Sequence, residues 1–306
     1  MTIHLSNVVA SPVQSAGDAC TVRPFRHTDF SRSPSPVVSV DHFVMTGPAT
    51  APEPAPGLCA ATLLLEDSKG VMQSLGSTKD DHEIRAGDLH WTQAGQGILR
   101  VHRPEAQARL HGLRIGIKLS DRQPAQAPGI ALLRGWEMPV IQTDAGRIRV
   151  AAGSHSGWQS PLATPDPLML LDAWLRPGAT QLVPLAPGWN AWIYAVQGEV
   201  GVRARHRLTG APALPKRPGG DPDFAVVHAG SALAASASVD DEHGVLVLMA
   251  GRAPVHFVLI AGGAIEAASG QPHAAAKPAR RGLTQSETAF EAGDFGRLQP
   301  DLAACS

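Results

Sequence analysis

The stretch Ile84-Arg85-Ala86-Gly87-Asp88-Leu89-His90-Trp91-Thr92-Gln93-Ala94-Gly95-Gln96-Gly97-Ile98-Leu99-Arg100-Val101-His102 decides the fold. Gly87-Asp88 and Gly95-x-Gly97 are turn residues bracketing short apolar strands, the punctuation of an antiparallel β-barrel. Just beyond them, where such a barrel presents histidine and carboxylate to a metal, stand Arg100 and His102. The frame is that of a barrel, and the chemistry at its end is not that of a metal site.

Composition agrees with the frame. Only 17% of the 306 residues are charged, while Gly (31) and Pro (26) are abundant, which suits many short strands joined by turns. The length allows two domains of about 150 residues each. A net charge of -1 supplies no field for gripping phosphate backbones, which disfavours direct nucleic-acid binding. Cys20, Cys59 and Cys305 are too scattered for a disulfide framework or a thiolate zinc site. With no signal-peptide pattern and no 18-residue apolar run, the expected setting is the reducing cytoplasm, away from membranes.

Outward from the opening stretch, residues 1–36 are polar and Ser/Pro-rich, and read as an N-terminal arm on the body or as partly disordered. Val37–Met45, Ala60–Leu65 and Leu110–Ile117 carry strand signals, separated by the Pro/Ala segment Gly47–Gly57, whose prolines bar it from a central strand. A connector between Ser120 and Pro139 sets a boundary, giving one barrel over 37–135 and a second over 136–306. In the second half, strands are expected around Arg147–Gly153, from Leu168 to Val202, and at Val245–Leu248 and His256–Ile260. Thr284-x-x-Glu287 is a capping box that predicts a short C-terminal helix ending near Gly293. The fold class is therefore all-β, with two tandem cupin (jelly-roll) barrels and that helix.

Several runs also resemble the pirins, a bicupin family. IRAGDLHWTQAGQGIL is similar to the pirin signature. SVDHF (39–43), RLHGLRI (109–115), PGWNAWIYAVQGEV (187–200), HFVLIAGGAIEA (256–267) and AGDFGRL (292–298) follow in pirin order. The resemblance implies one iron in the N-terminal barrel, with dioxygenase cleavage of flavonols such as quercetin, or regulation through protein partners.

Pirins hold their metal with a His-x-His ahead of a Gly-Phe-Glu, and with a His-x-Glu after the signature strand. Carried onto this chain, the four ligand positions fall on Glu53, Ala55, Arg100 and His102, while Cys59 replaces the Glu of Gly-Phe-Glu. Ala55 has no donor atom, and Arg100 is a permanent cation without a lone pair to give. Glu53 and His102 alone do not hold a labile ferrous ion, which wants imidazoles and carboxylate with open positions left over. A guanidinium beside them adds repulsion of about 4 kcal/mol at an effective dielectric near 20. Arg100 is expected to replace the metal and to pair with Glu53. In the second barrel, cupin spacing from Gly178 places Pro184, Ala186 and Asn190 at the ligand positions, none of them suitable.

Other candidates have plainer readings. His90 is expected at the surface beside Trp91, Asp80–Glu83 as a solvated turn, and Cys59 as a small buried residue inside the barrel. Trp189 and Trp192 flank Asn190 and could stack a planar ligand, although packing between sheets is the commoner use. Lys277–Arg281 is expected as a solvated basic loop. The resulting expectation is a degenerate metal site and no cofactor, with a role in binding a small molecule or a protein partner. The alternative is a metal-dependent dioxygenase (quercetin 2,3-dioxygenase-like) using Fe on Glu53, His102 and a third group, His42 or His90.

Overall fold

The computed structural model describes residues 3–17, 19–47, 53–54, 58–76, 81–93, 99–120, 129–205, 223–239 and 244–265. These are almost wholly antiparallel strands, as the turn punctuation and alternating patterns require. The expected C-terminal helix at Thr284–Gly293 and the basic run at 277–281 lie outside the described residues. Contacts group the chain into two units: Val13–Val22 with Asp41–Gly135, and Trp136–Ile265 with Met1–Pro12 and Arg23–Val40.

The first barrel is built on a sheet in the order Gly129–Leu133, Leu89–Gln93, Leu58–Leu64, Leu110–Lys118, Val37–Met45, Cys20–Arg26, Gln14–Ser15. Its second sheet runs Glu53–Pro54, Leu99–Pro104, Met72–Gly76, His82–Ile84. Leu64, Met72, Ile84, Leu110, Phe43 and Met45 form one apolar cluster. Side chains alternate between faces along a strand, so Leu64 and Leu110 identify which parity looks toward that cluster. The turn at Gly87-Asp88 is held by the Asp88 carboxylate, which accepts from the backbone N–H groups of Arg85 (3.0 Å) and Gly135 (2.8 Å) and from Arg134 (2.9 Å).

The second barrel sets Ile3–Ala10, Ser231–Ala237, Trp189–Gln197, Val255–Gly263, Leu168–Leu175, Gly146–Ala152 and Val140–Thr143 against Thr180–Leu185, Gly244–Ala250, Glu199–Arg205 and Phe224–His228. Residues 1–36, expected as an arm, supply strands: Ile3–Ala10 pairs with Ser231–Ala237 along most of its length. Ile148, Val150, Leu171, Val183, Leu185, Ile193, Val202, Leu246, Leu248, Phe257 and Leu259 belong to one continuous buried core. Each such side chain contributes about 1.5–3 kcal/mol on burial.

His155 is buried in this unit, and its Nε2 accepts from the Gln181 side-chain amide at 3.3 Å. Burial holds its pKa below the ordinary imidazole value. As pH falls, the unfolded chain therefore takes up this proton before the folded one. Stability is expected to decline as pH drops from about 6.5 toward the folded value. In urea titrations across that range, His155→Gln should flatten the decline.

Candidate functional site

The two sheets of the first barrel bring a polar cluster together from strands far apart in sequence. Antiparallel register sets Leu132, His90, Thr62 and Arg114 in one row across four neighbouring strands. On the second sheet, His102, Ser74 and His82 form a row across three. All of these share the parity that faces the apolar cluster, so the rows meet inside the barrel. The His90 ring lies 6.2 Å from that of His102, at 90°, and 5.7 Å from that of His82. Arg114 Nη2 donates to His102 Nδ1 at 2.8 Å, and Thr92 Oγ1 stands 3.5 Å from His90 Nδ1.

The expected surface position of His90 is corrected: it is 1% exposed. Trp91 is buried as well, because both faces of Leu89–Gln93 are covered, so alternation does not expose either residue. His82 likewise leaves the expected solvated turn, forming a strand whose ring meets His90. Cys59 is buried but on the face opposite Thr62 and Leu64, paired in register with Gln93 and Ile117, and so is not an interior residue. Glu53 and Arg100 occupy directly opposed positions of an antiparallel pair, with Arg100 also opposite Gly76. Ala55 lies outside the described residues.

Arg114 was not apparent as a site residue from sequence. Its signal was the period-2 pattern from Leu110 through Gly112, which puts a charged side chain on the inner face of an apolar strand. The interaction decides the chemistry of His102. Arginine has only N–H donors, so His102 Nδ1 must be the acceptor, and the neutral ring then carries its proton on Nε2. An imidazole in that state has no lone pair left for a metal. Among the described residues, no group of three or more His, Cys, Asp or Glu is arranged to hold a metal ion.

The second barrel is packed with apolar side chains. Pro184 is exposed on the outer face, and Asn190 donates its side-chain amide to Ser35 O at 2.9 Å. Trp192 is buried against Phe25 (6.0 Å) and stacked on Tyr194 (5.4 Å, 13°), and Trp189 packs on the apolar core. Both serve packing. Burial raises the Tyr194 hydroxyl above its ordinary pKa. A charged network that sequence reading missed lies on this sheet. Asp172, with no exposed surface, accepts from His256 Nε2 at 2.6 Å and pairs with Arg149 Nη1 at 3.8 Å. His256 stacks on Trp174 (4.1 Å, 15°), and the Arg147 guanidinium covers the other ring face at 4.2 Å.

No family model matches the chain. A pirin-like protein of Solanum lycopersicum is 29% identical over 192 residues, covering 62% of this chain and 65% of the relative. Pirin of Homo sapiens is 30% identical over 193 residues, covering 63% and 66%. The matches thus span just under two thirds of the relatives' own length. A solved quercetin 2,3-dioxygenase from Acinetobacter baumannii superposes with a TM-score of 0.72 at 17% identity, over 98% of both chains. In its cupin barrels and in these sequence relatives, the chain is pirin-like.

Proposed function

We propose that this chain acts as a metal-independent binding or regulatory pirin, receiving a small molecule at the polar cluster of its first barrel or docking a protein partner. The observation that carries the reading is the 2.8 Å contact of Arg114 with His102, a fixed cation on the side chain that the pirin resemblance aligns with a metal-ligand position. The cluster's His, Thr and Ser groups supply donors and acceptors for a polar ligand, whereas the core of the second barrel is apolar. The solved dioxygenase shares the fold, and one fold hosts unrelated chemistries. The buried thiols of Cys20 and Cys59 suit a reducing compartment, and we place the protein in the cytoplasm. No helix among the described residues is long and apolar enough to cross a membrane.

The test is to incubate the protein anaerobically with Fe(II), dialyse, measure iron and follow oxygen uptake with quercetin. The expected result is iron far below one equivalent and no quercetin-dependent uptake. Stoichiometric iron that broadens the His102 ring signals, together with turnover, would establish the dioxygenase reading instead.

A further inference from the structure

A second histidine pair stands outside this cluster. His42, on Val37–Met45, and His111, on Leu110–Lys118, approach with Nε2 atoms 2.5 Å apart and rings tilted by 41°. Both Asp67 oxygens lie 2.8 Å from His111 Nδ1. A carboxylate accepts only, so the His111 proton sits on Nδ1 and the Nε2 lone pair points at His42.

The position of His111 is built in. Ser68 Oγ donates to its carbonyl (2.8 Å) and accepts from its backbone N–H (3.0 Å), and Leu65 N–H reaches the same carbonyl at 2.8 Å. Gly112 lets the neighbouring strands close, since a Cβ there would stand 2.6 Å from Leu63 O and 2.9 Å from the Phe43 ring. Arg109 Nη1 lies 3.8 Å from Asp67 Oδ2. The pair is half-buried, with the His111 side chain 14% exposed, and Asp67 beside it is 58% exposed.

We propose that His42 and His111 form a divalent transition-metal site on the first barrel, for an imidazole-seeking late first-row ion of which Cu²⁺ is the strongest binder. Two convergent imidazoles, one braced through Nδ1 by a carboxylate, are the arrangement that orients metal-bound histidines. Nitrogens sharing one metal lie about 3.0–3.4 Å apart at bond lengths of about 2.0–2.1 Å. The pair therefore needs to open by roughly 0.5–0.9 Å, which small ring rotations supply. Water completes the coordination from the exposed side. Two protein donors suffice for copper, at the top of the affinity order for nitrogen sites, where they do not for ferrous iron near its bottom. This site shares no residue with the His102–Arg114 cluster and stands whether or not that cluster proves metal-free.

The experiment titrates Cu²⁺ into the full chain against a weak competing chelator, with nitrogen superhyperfine structure in the EPR spectrum counting the bound imidazoles. One equivalent with two imidazole nitrogens is expected. His42→Gln and His111→Gln should each abolish that signal, with melting curves confirming that both variants fold. Asp67→Asn should weaken binding about 10–100-fold while keeping both nitrogens. His228→Ala, at an exposed histidine paired with Glu199 in the other unit, should change nothing. Copper binding that survives both glutamine variants, or an affinity untouched by Asp67→Asn, overturns the proposal. So does a strongly downfield His42–His111 ring proton that persists at one equivalent of copper, which would mean that the pair shares a proton.

Discussion

Asp172→Ala is expected to destabilise the protein by about 3–5 kcal/mol. That corresponds to a fall of about 10 °C in the unfolding midpoint of its unit. The carboxylate is wholly buried between His256 and Arg149, and Arg149 is itself buried, its Nη2 placed 2.9 Å from Met138 Sδ. Removing the anion leaves a guanidinium in a low-dielectric setting with its counter-charge gone, which is why breaking such a pair exceeds the pair's net contribution. Taking out both charges, as Asp172→Leu with Arg149→Met, should recover most of the loss, because the desolvation penalties disappear together. Calorimetry on the single and double variants checks this. A single variant that melts like the parent would mean that the network carries no charge in the folded protein. Arg147→Ala, by contrast, removes a cation from the Trp174 face and should shift stability by only about 0.5–1 kcal/mol.

The second large effect is expected at Arg114. Arg114→Met keeps much of the side-chain volume but deletes the charged donor to His102, and should remove about 1.5–3 kcal/mol of stability. Its more direct signature is chemical. In the parent, ¹⁵N spectra of labelled histidine should show His102 protonated at Nε2. In the variant that preference should relax, since nothing then obliges Nδ1 to accept. A His102 tautomer unchanged by Arg114→Met would remove the ground for calling the family's metal position blocked.

Part of the candidate site was legible in the sequence. His102 and Arg100 stood out because they lie a fixed short distance beyond a recognisable turn, and Glu53 falls opposite Arg100 in strand register. Arg114 and His82 were not recovered, and His90 only as a possible third ligand, although each is close in sequence to a noted motif. Their meeting depends on the register of several strand pairings at once, and a slip of one residue in any of them would turn a side chain to the other face. His90 shows the difficulty most plainly. Period-2 alternation with Trp91 predicts one residue in and one out, and the prediction failed because the strand is covered on both faces. Cys59 failed for the complementary reason, being buried on the face away from the barrel interior.

By itself, the sequence determined what depends on local physics: strands where apolar residues run or alternate, turns where glycine admits a positive φ, and two barrels because those signals recur on both sides of residues 120–139. Gly87, in the opening stretch, does adopt φ 84°. Only the tertiary structure decided which polar residues meet: Arg114 with His102, Asp172 with His256, and His42 with His111. The pairs are 12, 84 and 69 residues apart in the chain. No propensity or spacing encodes such encounters, because they arise from strand order and register, which are set by the burial of the barrel as a whole.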